Sequence, residues 1–466
     1  MKQFTLLLSL LLSGFLSFSQ NVGIGTTAPD NSAQLDIVST SKGLLVPRLT
    51  TAQRTGIGTP AKGLLVFDTD TNGFWFYNGT VWINMQTLTN AWSLVGNAGT
   101  DSLINFVGTT DNKPLVFKIN NTPAGFVGNN GNVFLGKGSA TGSTTAVDNI
   151  AIGINALKNN TNRSNLVAIG DGALYNNGTG ATYPWDATGN TALGSKALYS
   201  NTIGYANTAS GSYSLSYNST GSNNTANGSN SLSSNTIGYA NTASGSSSLS
   251  SNTIGYANTA NGSYSLSYNT TGNYNTANGS YSLSFNTTGN YNTANGSNSL
   301  SSNTIGYANT ANGSFSLSSN TTGNYNSANG VYSLSSNTTG NYNSTNGTNS
   351  LYSNNTGYSN VAIGVSALFN NTDKNNLVAI GDSALYNNGT GATQSYHATE
   401  NTALGSKALY SNTTGLSNTA NGYRSLYSNT TGLANTANGV LSLSSNTTGQ
   451  FNTANGIYSL FKNTTG

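Results

Sequence analysis

A glycine returns every seventeen residues. Gly262, Gly279, Gly296, Gly313, Gly330 and Gly347 mark the frame, and a leucine follows each by four positions: Leu266, Leu283, Leu300, Leu317, Leu334 and Leu351. A second glycine lies between them, at Gly272, Gly289, Gly306, Gly323, Gly340 and Gly357. The frame extends upstream to Gly136 and downstream to Gly456, about nineteen units over residues 132–466. Two steps, Gly170 to Gly194 and Gly381 to Gly405, are seven residues longer. The blocks around them match at an offset of 211: Asn165-Leu-Val-Ala-Ile-Gly170 returns as Asn376-Leu-Val-Ala-Ile-Gly381. A larger duplication explains that pair.

A unit this short excludes a helical repeat, which needs more than about 30 residues for two packed helices. Its Asn, Ser, Thr and Gly are also poor helix formers. Two short strands and two turns fit the length. The expectation is therefore an all-β fold in which each unit is one coil of a β-solenoid or β-roll. Coils stacked at ~4.8 Å make a rod roughly 90 Å long. One leucine and one or two alanines per coil offset only part of the entropy lost on ordering it. The remainder must come from backbone bonds between layers, buried amide or hydroxyl ladders, and association of several rods. Low-complexity polar tracts are often disordered, but disorder does not explain why Leu and both Gly hold register.

Strand parity leaves two readings of the Thr276-Ala277-Asn278 segment. If Ala277 and Leu283 face inward, Thr and Asn form a flat outer array suited to ice or crystalline polysaccharide. If Thr and Asn take inward places, they form a buried ladder. Comparison with Val361 and Ile363, which occupy the same positions, favours the inward reading for at least one sheet, or a trimer seam.

Charge narrows the function classes. The 466 residues include 15 Lys and Arg, 12 Asp and Glu, one His and no Cys. Thiol chemistry, zinc–thiolate sites and disulfides are excluded, and most acid–base catalysis lacks its usual groups. None of the 176 residues between Lys196 and Asp373 is Lys, Arg, Asp, Glu or His. Nucleic acid is not an expected partner, since that needs clustered basic residues. The start, Met1-Lys2 with an apolar run to Phe18 and small residues before Gln20, reads as a signal peptide over 1–19. No later stretch reaches the ~20 apolar residues of a membrane span. The expected location is secreted or on the bacterial cell surface, with no transmembrane segment after signal cleavage.

Candidate sites are few. Asp68-Thr-Asp-Thr-Asn-Gly73 opens like a calcium loop, but its twelfth position is Gly79 rather than an acid. A β-turn is the better reading. Gly23-Ile-Gly-Thr-Thr-Ala28 mimics a dinucleotide fingerprint without a following helix pattern. His397 has Glu400 as its one acidic neighbour, too few ligands for a metal. Catalytic, cofactor and metal sites are therefore expected to be absent. The seven-residue insertions carry Tyr183, Trp185 and Asp186 in one case, Tyr396 and His397 in the other. Insertions in repeats form loops on one face, often the binding face, so these are candidate ligand-contact loops. A solvated bulge or a cap is the plainer alternative.

Asn360-Val-Ala-Ile-Gly-Val-Ser-Ala-Leu368 and Asn149-Ile-Ala-Ile-Gly-Ile-Asn-Ala-Leu157 resemble the YadA-like head repeat of trimeric autotransporter adhesins. The resemblance implies a left-handed parallel β-roll, three chains side by side, displayed to bind host or matrix components. Most units depart from it, with Thr and Asn in place of Val and Ile. Residues 20–90 read as a small β module, with Phe74–Tyr77, the Asn78-Gly79 turn and Thr80–Ile83 as a hairpin. Residues 91–131 read as a β connector. Asn21-Val-Gly-Ile-Gly-Thr-Thr-Ala-Pro29 and Lys42-Gly-Leu-Leu-Val-Pro-Arg-Leu-Thr50 look like the opening of secreted, tail-fibre-like surface proteins of Bacteroidetes-type bacteria. Together these readings lead to a non-enzymatic, homotrimeric, adhesin-like fibre with a surface glycan or protein as ligand. The alternative is an ice-binding or glycan-surface-binding β-solenoid using a Thr/Asn face.

Overall fold

The computed structural model describes residues 21–85, 96, 98–101, 103–143 and 145–466. The segment read as a signal peptide lies outside them. The chain divides into two compact units, residues 1–108 and 109–466.

In the first unit β1 (Val22–Ile24) pairs in parallel with β2 (Leu35–Ile37). A four-stranded sheet follows: β3 (Arg48–Leu49), β4 (Leu65–Asp68), β5 (Gly73–Tyr77) and β6 (Trp82–Asn84). The last two form the expected hairpin, and Asn78 Oδ1 closes its turn by accepting the N–H groups of Thr80 and Val81 at 2.8 Å. The short helix α1 (Thr51–Thr55) starts at a capping box between Thr50 and Gln53. It delivers Arg54 into the interior, 4 % exposed. The Arg54 guanidinium lies 3.8 Å from the centre of the Trp75 ring, and its Nε donates to Asp68 at 2.7 Å. Asp68 also accepts the Thr51 hydroxyl and the N–H groups of Asp70 and Thr71. The first carboxylate of the calcium-like loop is thus spent inside the protein, in the turn between β4 and β5.

The second unit begins with an antiparallel meander, β7 (Leu115–Ile119), β8 (Thr122–Val127) and β9 (Val133–Leu135). From β9 onward each coil adds one parallel strand, β10 (Asn149–Ile152) to β27 (Thr453–Asn455), eighteen beyond β9 and nineteen with it among the described residues. Partners are seventeen residues apart, as in Thr276↔Thr293, and twenty-four apart across an insertion, as in Val378↔Thr402.

Each coil holds one three- or four-residue strand rather than two. The remainder curves too tightly, because Gly279 (φ 137°), Tyr281 (57°), Leu283 (49°) and Tyr291 (57°) all have positive φ. Left-handed backbone costs a non-glycine residue about 1–2 kcal/mol. Complete burial of the Leu283 side chain returns about 1.5–3 kcal/mol. Even the turns bond from coil to coil: the Leu266 N–H donates to Ser282 O and the Thr270 N–H to Thr287 O, both at 3.0 Å. The two repeat glycines are required by close approach. A Cβ at Gly279 would sit 2.6 Å from the carbonyl oxygen of Gly296. One at Gly289 would sit 2.4 Å from the carbonyl of Gly306 and from Asn286 Oδ1.

The interior of a coil holds Ala277, Leu283 and three polar side chains, Asn275, Ser282 and Asn286, all fully buried. The asparagines form two ladders along the stack. Asn286 Nδ2 donates to Asn269 Oδ1 of the preceding coil at 2.8 Å and to Gly289 O at 3.0 Å. Asn275 Oδ1 accepts both the backbone N–H (3.0 Å) and the side-chain N–H (3.2 Å) of Asn292. Through the coils between Lys196 and Asp373 each ladder amide is therefore satisfied by neutral groups of the chain itself.

This ladder corrects the parity reading. Asn275 points inward, so alternation along the strand turns Thr276 outward, Ala277 inward and Asn278 outward. Val361 and Ile363 also flank an inward alanine, Ala362, and face out. The buried ladder exists, but it is built by Asn275 and Asn286 rather than by the strand's Thr and Asn. In one coil a hydroxyl replaces the strand's inward alanine: Thr345 takes that position and bonds Ser333 Oγ.

Candidate binding face of the solenoid

In nine consecutive strands, Thr208–Ser210 to Ser344–Asn346, the outward positions are Thr or Ser followed by Asn or Ser. Two kinds of threonine then differ in state. In the turns, the Thr270 and Thr287 hydroxyls are tied to the carbonyls of Thr287 and Thr304 at 3.0 Å. The strand hydroxyls of Thr259, Thr276, Thr293 and Thr310 have no hydrogen-bond partner among the described residues. Their β-branched side chains are stiff about χ1, so they make a fixed row of free hydroxyls, one per coil. Beside it runs an outer asparagine ladder. Asn261 donates to Asn278 at 2.9 Å, Asn278 to Asn295 at 2.8 Å, and Asn295 to Asn312 at 2.7 Å. The same outward positions are apolar in coils flanking that stretch, for example Ile152 and Ile169 before it and Ile363 and Ile380 after it, and return to Thr and Asn in the last three strands.

The insertions lie twelve coils apart, roughly 60 Å along the stack, so the structure does not bring them together. In the first, Tyr183 and Trp185 stack at 5.0 Å with planes 2° apart, each 57 % exposed. Asp186 is buried and accepts the N–H groups of Thr182 and Tyr183, so it shapes the loop instead of facing a ligand. In the second, Tyr396 is 60 % exposed and meets His397 edge-on at 4.8 Å. His397 Nδ1 is buried and has no hydrogen-bond partner. Leu266, Leu283, Leu300, Leu317, Leu334 and Leu351 are fully buried in the stack.

Two residues under the insertions escaped the sequence reading. Arg163 Nη1 donates to Tyr183 O at 2.8 Å, and Lys374 Nζ donates to Gln394 O at 3.0 Å. Both cations are buried beneath their loops. They are 211 residues apart, the duplication's own offset, which is the signal that would have found them.

Among the described residues no group of three or more His, Cys, Asp or Glu is arranged to hold a metal ion. No helix among them is long and apolar enough to cross a membrane. Residues 23–104 match the family described as a phage tail like trimerisation region. No curated protein and no solved structure matches the chain. Fold and family match together define a fibrous β-solenoid preceded by a trimerisation-like module.

Proposed function

We propose that the protein is a non-catalytic, trimeric surface fibre whose charge-free coils bind an ordered, neutral, hydroxyl-rich surface. The observation that carries this reading is the row of unpartnered strand hydroxyls, repeated over nine coils at a fixed spacing. Each hydroxyl contributes a modest amount, about 0.5–1.5 kcal/mol per hydrogen bond made. A rigid array sums many such contacts and three chains multiply them. A surface without charge to offer selects a lattice without charge, either crystalline polysaccharide or ice. The trimer is supported by the family match over residues 23–104. Secretion and display rest on the reading of residues 1–19 as a signal peptide and on the resemblance to adhesin heads and tail-fibre-like proteins.

The test replaces Thr276, Thr293 and Thr310 by valine, which keeps shape and strand preference. Binding to insoluble polysaccharide should weaken roughly tenfold or more, and should change little with salt because few charges take part. Thermal hysteresis and ice shaping by the wild type would assign the lattice to ice. Wild-type protein with neither activity, or valine variants that bind as well as it does, would refute the reading. A second reading, adhesion to a protein ligand, is favoured by the exposed Tyr183–Trp185 stack. There, Trp185→Ala should abolish attachment while the valine variants leave it intact.

A further inference from the structure

A second outward row runs beside the hydroxyls. In eight consecutive coils, from Tyr239 to Tyr358, a tyrosine stands one or two positions before the inward ladder asparagine. Despite that one-residue slip the rings join into runs. Tyr239, Tyr256, Tyr274 and Tyr291 follow one another at 4.8, 5.3 and 5.1 Å between ring centres. Tyr307, Tyr325 and Tyr342 follow at 4.9 and 5.2 Å. At the eighteen-residue steps, Tyr256 to Tyr274 and Tyr307 to Tyr325, the rings meet at 78° and 75°, and at the seventeen-residue steps they lie within 10° of parallel; at the sixteen-residue steps, after Tyr291 and after Tyr342, the run of rings ends. Except for Tyr256, these rings are 40–62 % exposed. In Tyr291-Asn292-Thr293 the asparagine points inward, so the tyrosine and the free threonine hydroxyl flank it on the outside.

We infer that the tyrosine ridge and the adjoining threonine row form a track for one linear, uncharged polysaccharide chain lying along the coil axis. The inference rests on the reading that these coils bind a neutral surface, and it names the ligand and its direction. Three features of the ridge carry it. Its repeat, one ring per coil at ~4.8 Å, is close to the advance of a single pyranose in an extended chain. Its whole length lies in the segment between Lys196 and Asp373 that has no Lys, Arg, Asp, Glu or His, so no anionic polymer is complemented. The stacked pairs Tyr239–Tyr256, Tyr274–Tyr291 and Tyr325–Tyr342 cover one another's faces, so they present edges of C–H and phenolic O–H. That pattern matches the alternating C–H and hydroxyl borders of a sugar chain. It does not suit a partner protein, whose strongest contacts seat single aromatic rings in desolvated pockets. Mutual stacking also fixes the rings before binding, which lowers the entropy lost on contact.

Native gel electrophoresis of the full chain through gels containing hydroxyethylcellulose, and separately konjac glucomannan, reads this directly. One variant carries Tyr274→Ser, Tyr291→Ser, Tyr325→Ser and Tyr342→Ser; a second carries phenylalanine at the same four positions and keeps the stack. The wild type should be retarded by at least one polymer. The serine variant should lose about tenfold or more in apparent affinity, and the phenylalanine variant should fall between. Retardation of the serine variant within about twofold of wild type, or no retardation of wild type by either polymer, overturns the inference. So does a change of oligomeric state in the phenylalanine or serine variant, which would place the ridge between chains. If the tyrosine variants behave as wild type while Thr276→Val, Thr293→Val and Thr310→Val abolish binding to the insoluble lattice, the track fails and the proposed function stands.

Discussion

The first unit centres on a buried guanidinium, Arg54, held between the Trp75 ring and the Asp68 carboxylate. The second runs through 176 residues with no Lys, Arg, Asp, Glu or His and fills its interior with alanine, leucine, serine and two columns of asparagine. Both bury polar groups, and the Arg54 site and the charge-free coils satisfy them in different ways. In the first unit the partners are few, ionic and unique. In the charge-free coils of the second they are neutral and repeat from coil to coil, so each ladder amide is both donor to one neighbour and acceptor from the other. A local ion pair fixes one geometry. A ladder fixes a repeat, and its stability adds coil by coil as in other quasi-one-dimensional folds.

The comparison breaks most severely at a ladder rung. Asn286→Leu removes the donor to Asn269 Oδ1 and Gly289 O and the acceptor for Asn303 Nδ2. Asn269 Oδ1 is left without a partner, whereas Gly289 O keeps Asn275 Nδ2 and Asn303 Nδ2 keeps Gly306 O. The orphaned oxygen costs about 1–3 kcal/mol and the bulkier leucine in a packed coil about 1–3 kcal/mol more. Hydrogen exchange should show the coils around residue 286 opening while the first unit keeps its protection. Uniform protection throughout would show that the ladder is not what holds the stack.

Acid should separate the units next. Burial alone would raise the Asp68 pKa. The Arg54 guanidinium, the backbone N–H groups of Thr71 and Asp70 and the Thr51 hydroxyl outweigh it and hold the carboxyl well below the usual range. A depressed folded pKa contributes stability that is present above the unfolded value, about 3.9, and is lost as pH falls through the folded one. The coils between Lys196 and Asp373 carry no carboxylate and have no such dependence. Pepsin digestion at descending pH should therefore cut the first unit before those coils. Simultaneous cleavage would show that Asp68 does not govern it.

Alkali should reverse the order. Burial, then the neighbouring Tyr274 and Tyr239 phenols, raise the Tyr256 pKa. A hydrogen bond with Tyr325, then burial, raises that of Tyr307. Burial and the Tyr386 and Tyr427 phenols raise that of Tyr410, in the half-buried seam from Tyr352 to Tyr427. A raised folded pKa contributes stability that is complete below about pH 10 and is lost as pH rises through the folded value. Tyrosinate absorbance should appear later than in the unfolded chain, and the solenoid should loosen as it does. A titration indistinguishable from that of the unfolded chain would remove the effect.

The period, the coil-by-coil stacking and the need for buried amides were legible in Gly262, Leu266 and their copies, because stacking forces each position to repeat. The direction of the strand's side chains was not. Thr276 and Val361 occupy the same place, and the apolar residue suggested an interior that only the inward Asn275 and Asn360 rule out. Leu283 in left-handed backbone was equally hidden, since propensity gives no reason to place a leucine there; the tight closure of a seventeen-residue coil imposes it. Arg163 and Lys374 were missed because each, taken alone, is an ordinary surface cation. Only their common offset and their burial reveal that they hold the insertions down.

The smallest expected effect tests the outward face itself. Val361→Thr together with Ile363→Asn converts an apolar coil to the outward chemistry of its neighbours, while Ala362 and Asn360 stay in place. On an open face neither side chain gives up a buried contact, and surface substitutions of this kind change stability by no more than about 0.5 kcal/mol. The free hydroxyl row would then reach one coil further, and binding to the insoluble lattice should strengthen slightly. A loss of several kcal/mol, or a weaker trimer, would show instead that the apolar coils near Val361 are covered by another chain. The contrast would then lie along the solenoid, between apolar coils that pack against their copies and Thr/Asn coils left free for the lattice.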